Sequence, residues 1–198
     1  MKKITFTVPC YNSQDYMKRC IDSLLVCKEE GEIIIVDDGS TDRTGEIADE
    51  YAKEYPDIVK VIHKENGGHG SGVNAGLEAA TGTYFKVVDS DDWLDEENYP
   101  KVLAKLAELV HQGKAPDMMI CNYIYDKQGV KHKKAVSYAS AFPQDEVFTW
   151  RDVKHFRLGQ YILMHSVIYR THMLNVDWSC RNILSMWITF LYIIRCPM

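Results

Sequence analysis

Two stretches decide how this chain folds: Val36-Asp37-Asp38-Gly39-Ser40-Thr41-Asp42 and Val88-Asp89-Ser90-Asp91-Asp92-Trp93. Each places a cluster of acids directly after an apolar run. In an open α/β sheet, loops of this kind lie beyond the carboxyl ends of the strands, where ligands bind. Clustered carboxylates are costly unless a cation or hydrogen-bond donors satisfy them. Two such clusters on one sheet edge predict a site for a metal ion and a polar ligand.

The elements around these stretches alternate. Residues 4–8 read as a first strand, and Ser13 is placed to cap a helix running to Cys27, with Tyr16, Cys20, Ile21, Leu24 and Leu25 on its apolar face. Residues 32–36 form a second strand of Ile and Val, apolar enough to be buried on both faces. Ser40 or Thr41 caps a helix to Tyr55, residues 58–62 make a third strand, and residues 69–80 a helix behind a Gly-rich turn. Residues 84–88 are a fourth strand, 95–111 an amphipathic helix, and 118–125 another strand, followed by a Lys-rich turn through Lys134. Strands alternating with helices imply right-handed βαβ units and a mainly parallel sheet. The region after Ala135 is less regular and is expected to be partly antiparallel.

Composition sets bounds. The chain has 198 residues, enough for one domain with a substantial core. A net charge of −5 gives no support for nonspecific nucleic-acid binding, and no nucleic-acid partner is expected. Cysteines stand at 10, 20, 27, 121, 180 and 196 without a CxxC pair, which argues against structural zinc. Cys10, Cys20 and Cys121 have apolar surroundings and read as reduced core residues, so a reducing, cytoplasmic compartment is expected. Lys2 and Lys3 are followed by an alternating strand rather than a signal-peptide core. The apolar run over residues 187–194 falls far short of the roughly 20 residues of a spanning helix.

Four segments occur in order: Val8-Pro9-Cys10-Tyr11-Asn12, Val36-Asp37-Asp38-Gly39-Ser40-Thr41-Asp42, Glu65-Asn66-Gly67-Gly68 and Asp89-Ser90-Asp91-Asp92. Together they resemble the family 2 glycosyltransferases, strongly up to Asp95 and weakly on to Thr171. The resemblance implies a GT-A fold: a Rossmann-like, three-layer α/β/α domain with a mainly parallel mixed sheet. It also implies an inverting single displacement that moves a sugar from a nucleotide diphosphate, UDP in the first instance, to a hydroxyl acceptor. Bacterial cell-wall or polysaccharide biosynthesis is the implied setting, at the inner face of the membrane. Saccharide, lipid and polymer acceptors all stay open.

Residue by residue, the resemblance gives Tyr11 stacking on the nucleobase, Asp38 accepting the uracil imino N–H, and Pro9 shaping the same pocket. Asp37 reads more readily as a cap that holds the following turn. Asn66 and Gly68 belong to a donor-rich loop, and Asn74 to the helix behind it; both suit an anionic diphosphate. This loop is not a P-loop, since GxxxxGK[ST] is absent. Family members often carry Arg before the Asn of this helix. Val73 stands there, leaving His69 or the backbone to handle the charge. Asp89, Ser90 and Asp91 form a DxD motif. If extended, it points both carboxylates one way. Asp89, Asp91 and Asp92 are the candidate ligands for Mg2+ or Mn2+, with Asp89 and Ser90 also counted among the substrate contacts. The bland reading is that Asp91 or Asp92 caps the next helix.

The general base that must deprotonate the acceptor is not identified. Asp145, Glu146, Asp152 and Asp177 are present but poorly placed by pattern, although residues 165–170 resemble the strand that normally precedes the base. From Val176 onward the binary pattern is lost. Read one base early, Met186-Trp187-Ile188 forces Val-Asp whatever the codons, and allowed choices for Ser185 and Thr189 extend this to Tyr-Val-Asp-Asn. Residues 1–175 are therefore read as a GT-A domain with an incomplete acceptor part. Residues 176–198 are read as an atypical, frameshifted tail that displaces the base and whose apolar end favours self-association. Two other readings compete: a UDP-sugar-binding remnant without transfer, and a sugar-phosphate nucleotidyltransferase. The latter ranks low because Pro9-Cys10-Tyr11-Asn12 replaces its Gly-rich basic loop.

Overall fold

In a computed structural model of the chain, residues 2–126, 133–156 and 166–174 are described. The unusual tail, Asp177 and His165 lie outside them. The main sheet has six strands in the order β3-β2-β1-β4-β8-β5. They are β1 (Ile4–Cys10), β2 (Gly31–Asp37), β3 (Val59–His63), β4 (Tyr84–Val87), β5 (Met118–Ile120) and β8 (Val167–Arg170). The first four run parallel, with Ile4 opposite both Gly31 and Tyr84. β8 is antiparallel to β4 and to β5, so the expected antiparallel character of the later chain is present.

All seven residues of β1 and all seven of β2 are buried, the signature of central strands covered on both faces. On one face lie α1 (Met17–Leu24), α2 (Thr44–Glu54) and α4 (Tyr99–His111). Met17, Cys20, Ile21, Leu24, Ile47, Tyr99 and Leu106 pack there against Phe6, Ile33 and Ile35. On the other face α3 (His69–Ala79) lays Val73 and Leu77 against Phe85 and Val87, joined by Leu174 of α5 (Thr171–Leu174). The three-layer α/β/α arrangement is therefore present. α3 sits very close to β1. A Cβ on Gly76 would lie 2.2 Å from Thr7 Cγ2, and one on Gly72 would lie 3.0 Å from Pro9 Cβ.

Several boundaries differ from the sequence reading. Ser13 does not cap α1 through its side chain. Its carbonyl accepts the Tyr16 and Met17 amides, and the helix proper begins at Met17. α2 starts at Thr44, and Asp42, rather than Ser40 or Thr41, accepts the Thr44 amide at 2.9 Å. α4 begins at Tyr99, four residues later than expected, with Pro100 in its first turn and Asp95 Oδ1 accepting the Asn98 amide. The single strand expected over residues 118–125 is two. β5 joins the main sheet, while β6 (Tyr123–Tyr125) pairs with β7 (Lys134–Val136) in a separate hairpin. Beside that hairpin, Val136, Tyr138, Ala141 and Phe142 form a small second core. No helix among the described residues is long and apolar enough to cross a membrane. Cys10, Cys20 and Cys27 are buried free thiols, and Cys121 is a half-buried one.

Candidate functional site

β1 lies between β2 and β4, so the connections leave it in opposite directions. This switch point is where an open α/β sheet binds its ligand. Tyr11 follows β1 immediately and is 53% exposed, so its ring is open to a ligand. The loop that carries it is tied to the loop after β2. The Asn12 amide donates to Ser40 Oγ, and Asn12 Oδ1 accepts the Thr41 amide at 2.9 Å. The Ser13 amide donates to Thr44 Oγ1 at 2.7 Å, and Gln14 exchanges bonds with Asp42 and the Arg43 amide. Pro9 is buried beneath Gly72 of α3.

The acids at the end of β2 are matched by bases at the end of β3. Asp37 and His63 are register partners, and Asp37 Oδ2 lies 3.0 Å from His63 Nδ1. The other Asp37 oxygen accepts the Ser40 amide at 3.1 Å, so Asp37 does cap its own turn. Asp38 is 2% exposed and faces inward. It accepts from Lys64 Nζ, from the Gly67 amide on both oxygens, and from the Gly68 amide at 2.7 Å. Burial alone would raise its pKa; the Lys64 ammonium and the two amides outweigh that and hold it below the ordinary carboxylate range. Asn66 is exposed, and its Oδ1 shares the Gly68 amide at 3.2 Å. Asn74 lies half-buried on α3.

The second acidic cluster is a turn rather than an extended segment. The Asp92 amide bonds to the Asp89 carbonyl at 2.9 Å, so strand alternation does not align Asp89 with Asp91. Sequence periodicity missed this because the strand ends at Val87. The turn is pinned to the first helical segment at four points. Ser90 Oγ lies 2.9 Å from Ser13 Oγ, and the Cys20 thiol donates to the Asp89 carbonyl. The Leu94 amide donates to Ser23 Oγ, and the Arg19 guanidinium sits 3.4 Å above the Trp93 ring. Ser90 is thereby turned inward, whereas Asp91 is exposed and Asp89 is half-buried.

The two clusters meet at the N-terminus of α3. Gly68 gives its amide to Asp38, and the next residue, His69, places Nε2 2.8 Å from Asp89 Oδ1. The bond to Asp89 holds the His69 pKa above its ordinary value, against an opposing contribution from burial. Val73, where an Arg was noted as missing, points into the core against Phe85 and Val87. Sequence reading missed His63, Lys64 and Lys86. Lys86 is a buried lysine on the core face of β4, pushed down to about 8 by burial. Its signal was visible as the single charge inside an otherwise apolar strand. Among the base candidates, Asp152 is committed to a capping box with Thr149, while Asp145 and Glu146 are exposed.

A six-stranded sheet of this order, covered by helices on both faces and carrying acidic loops beyond the ends of β2 and β4, is an α/β domain of the GT-A type. The profile of Glycosyl transferase family 2 matches residues 5–173, and the chain belongs to that family. It is 29% identical to the S. aureus TarS 1-349 fragment solved in complex with UDP, with a TM-score of 0.66 over 87% of this chain and 48% of that one. The TarS fragment in complex with UDP-GlcNAc gives 29% identity and a TM-score of 0.64, covering 87% of this chain and 46% of that one. Among sequences, glycosyltransferase GlyG of Streptococcus pneumoniae is 38% identical over 127 residues, or 63% of this chain and 40% of the relative. The chain thus spans about half the length of these solved structures and less than half that of the relative.

Proposed function

We propose that this chain is the donor-binding part of a glycosyltransferase that moves a sugar from a UDP-sugar to a hydroxyl acceptor with inversion. The observation that carries this reading is the junction at Gly68 and His69, which draws Asp38 and Asp89 to one cleft edge. Support for uridine diphosphate comes from the TarS complexes, which hold UDP and UDP-GlcNAc. Tyr11 is the exposed ring for the base, with Pro9 beneath the same edge. Asp38, through the Gly67 and Gly68 amides, fixes the loop that leads into α3, whose N-terminus suits the diphosphate, with Asn66 and Asn74 alongside.

Among the described residues no three His, Cys, Asp or Glu side chains converge as a metal-ligand set. The cluster after β2 is neutralised by His63 and Lys64, whereas Asp91 in the cluster after β4 remains exposed. One or two carboxylates together with substrate phosphate oxygens suit Mg2+ or Mn2+. We assign Asp89 and Asp91 as the ligands, with Asp92 in support. The bound ion would stabilise the departing diphosphate. The protein would work at the cytoplasmic face of the membrane, on a saccharide, lipid or polymer acceptor.

Calorimetry with UDP and Mn2+ tests the donor site: the expected result is binding that weakens when the metal is chelated, and no binding at all refutes the reading. A second reading is favoured by the commitment of Asp152 to its cap, which leaves only the exposed Asp145 and Glu146 as base candidates among the described residues. In that case UDP binds but UDP-sugar is not consumed when acceptor is added.

A further inference from the structure

His63 has both ring nitrogens on carboxylates. Nδ1 lies 3.0 Å from Asp37 Oδ2, and Nε2 lies 3.0 Å from Asp49 Oδ1. An ionised carboxylate only accepts, and a neutral imidazole has one N–H to give. Two such bonds at once therefore require the ring to carry both protons. We propose that His63 is a positioning residue whose imidazolium ties Asp37, at the end of β2, to Asp49 on α2, and so holds the turn over residues 37–40 beside the nucleotide. This inference rests on the donor-site reading above.

The surroundings leave room for the bridge and little else. A Cβ on Gly45 of α2 would fall 2.9 Å from Asp37 Oδ2 and 3.4 Å from His63 Cε1, so the glycine clears the space in which the pair forms. The charged groups that face the ring are Asp37 from β2 and Asp49 from α2. Lys64, the residue that follows it beyond the end of β3, turns instead to Asp38. Asp37 is the buried member and Asp49 the exposed one, with side chains 10% and 65% accessible. Loss of the second proton leaves one carboxylate without its donor. The remaining Asp37 oxygen is the one that accepts the Ser40 amide, so one carboxylate links the ring to the turn.

The bonds to Asp37 and then Asp49 raise the His63 pKa, while burial lowers it. With the folded value raised, the bridge contributes fully below the ordinary histidine value of about 6.5 and is lost as pH rises through the folded value.

The test is an NMR titration of the full chain from about pH 5.5 to 9, following His63 Cε1–H and the Ser40 amide, with UDP affinity measured across the same range. The expected result is one shared inflection above the ordinary histidine value, with UDP affinity several-fold weaker on its alkaline side. His63→Gln should abolish the Ser40 titration and flatten the affinity profile relative to wild type. Asp49→Asn should move the inflection to lower pH, and it carries the test if the first variant does not fold. A Ser40 amide that ignores the His63 inflection overturns the proposal. So does a UDP profile unchanged by His63→Gln. If neither protein binds UDP at any pH, the donor reading fails, and the Ser40 amide still decides whether His63 holds the turn.

Discussion

His69 Nε2 lies 2.8 Å from Asp89 Oδ1, and this contact joins the α3 terminus to the acidic turn after β4. Its neighbour Gly68 is bonded to Asp38, so two consecutive residues span the distance between the two acidic strand ends. The cleft is therefore assembled by the loop between β3 and α3, which the sequence presented only as a glycine-rich run.

Asp91→Asn keeps the shape of an exposed side chain and removes one charge from the proposed cation site. The Mn2+-dependent part of UDP affinity should fall at least tenfold, with the melting temperature little changed. Calorimetry with and without chelator reads the first, and a thermal melt reads the second.

Tyr11→Ala should leave the fold intact, because the ring is half in solvent and outside the main core. Stacking of an aromatic ring on a base is worth about 1–3 kcal/mol. UDP should accordingly bind about five- to 150-fold more weakly, and uracil-free pyrophosphate should be unaffected.

Asp38→Ala strips the partner from Lys64 and from two loop amides in one step. Breaking a largely buried charge pair by removing one side costs about 3–5 kcal/mol, less here because Lys64 reaches solvent. A loss of about 2–4 kcal/mol in denaturant unfolding is expected, together with loss of UDP binding as the loop over residues 64–68 is released.

Glu32 is 1% exposed at the opposite end of the sheet. It accepts from Thr5 Oγ1, Lys60 Nζ, and the Thr81 amide and hydroxyl. Burial raises its pKa, but Lys60 and the hydroxyl and amide donors prevail and bring it down to about 2. The folded value is depressed, so the stabilisation is complete above the unfolded value of about 4.3 and disappears as pH falls through the folded value. Wild type should lose about 3 kcal/mol across that acid window, about half of it by pH 3, whereas Glu32→Gln should be less stable at pH 7 and lose correspondingly less on acidification. Urea unfolding at pH 7 and pH 3 compares them.

Thr7 Oγ1 is buried without a hydrogen-bond partner under Gly76. Thr7→Val removes an unsatisfied hydroxyl at constant shape and should be neutral or stabilising by up to about 1 kcal/mol. Gly76→Ala should destabilise, since its new Cβ would meet Thr7 at 2.2 Å. Paired thermal melts of the two variants decide the matter.

Much of the donor half was legible in the sequence, because local signals and the global fold agree there. The alternating residues of β1 and the Ile-Val run of β2 read as strands of a buried sheet, and acids placed straight after such strands fall on one edge of a parallel sheet. What escaped was long-range. Nothing local says that His63 would bridge Asp37 and Asp49, since the partners come from β2 and α2. The turn at residues 89–92 was hidden because a DxD spacing looks the same in a strand and in a turn. The break between β5 and β6 was masked by a run from Met118 to Tyr125 that is apolar except at Asn122, in which periodicity cannot show a change of sheet.

The chain departs from the main sheet at Cys121, whose amide is the last to bond to the strand region of Ser166, and enters the β6–β7 hairpin with its own aromatic core. That hairpin shares no ladder with β1, β2 or β4. Insertions or wholesale replacement there would leave the carboxyl ends of β1, β2 and β4 untouched, so the fold keeps one half fixed while the other is at liberty to diversify.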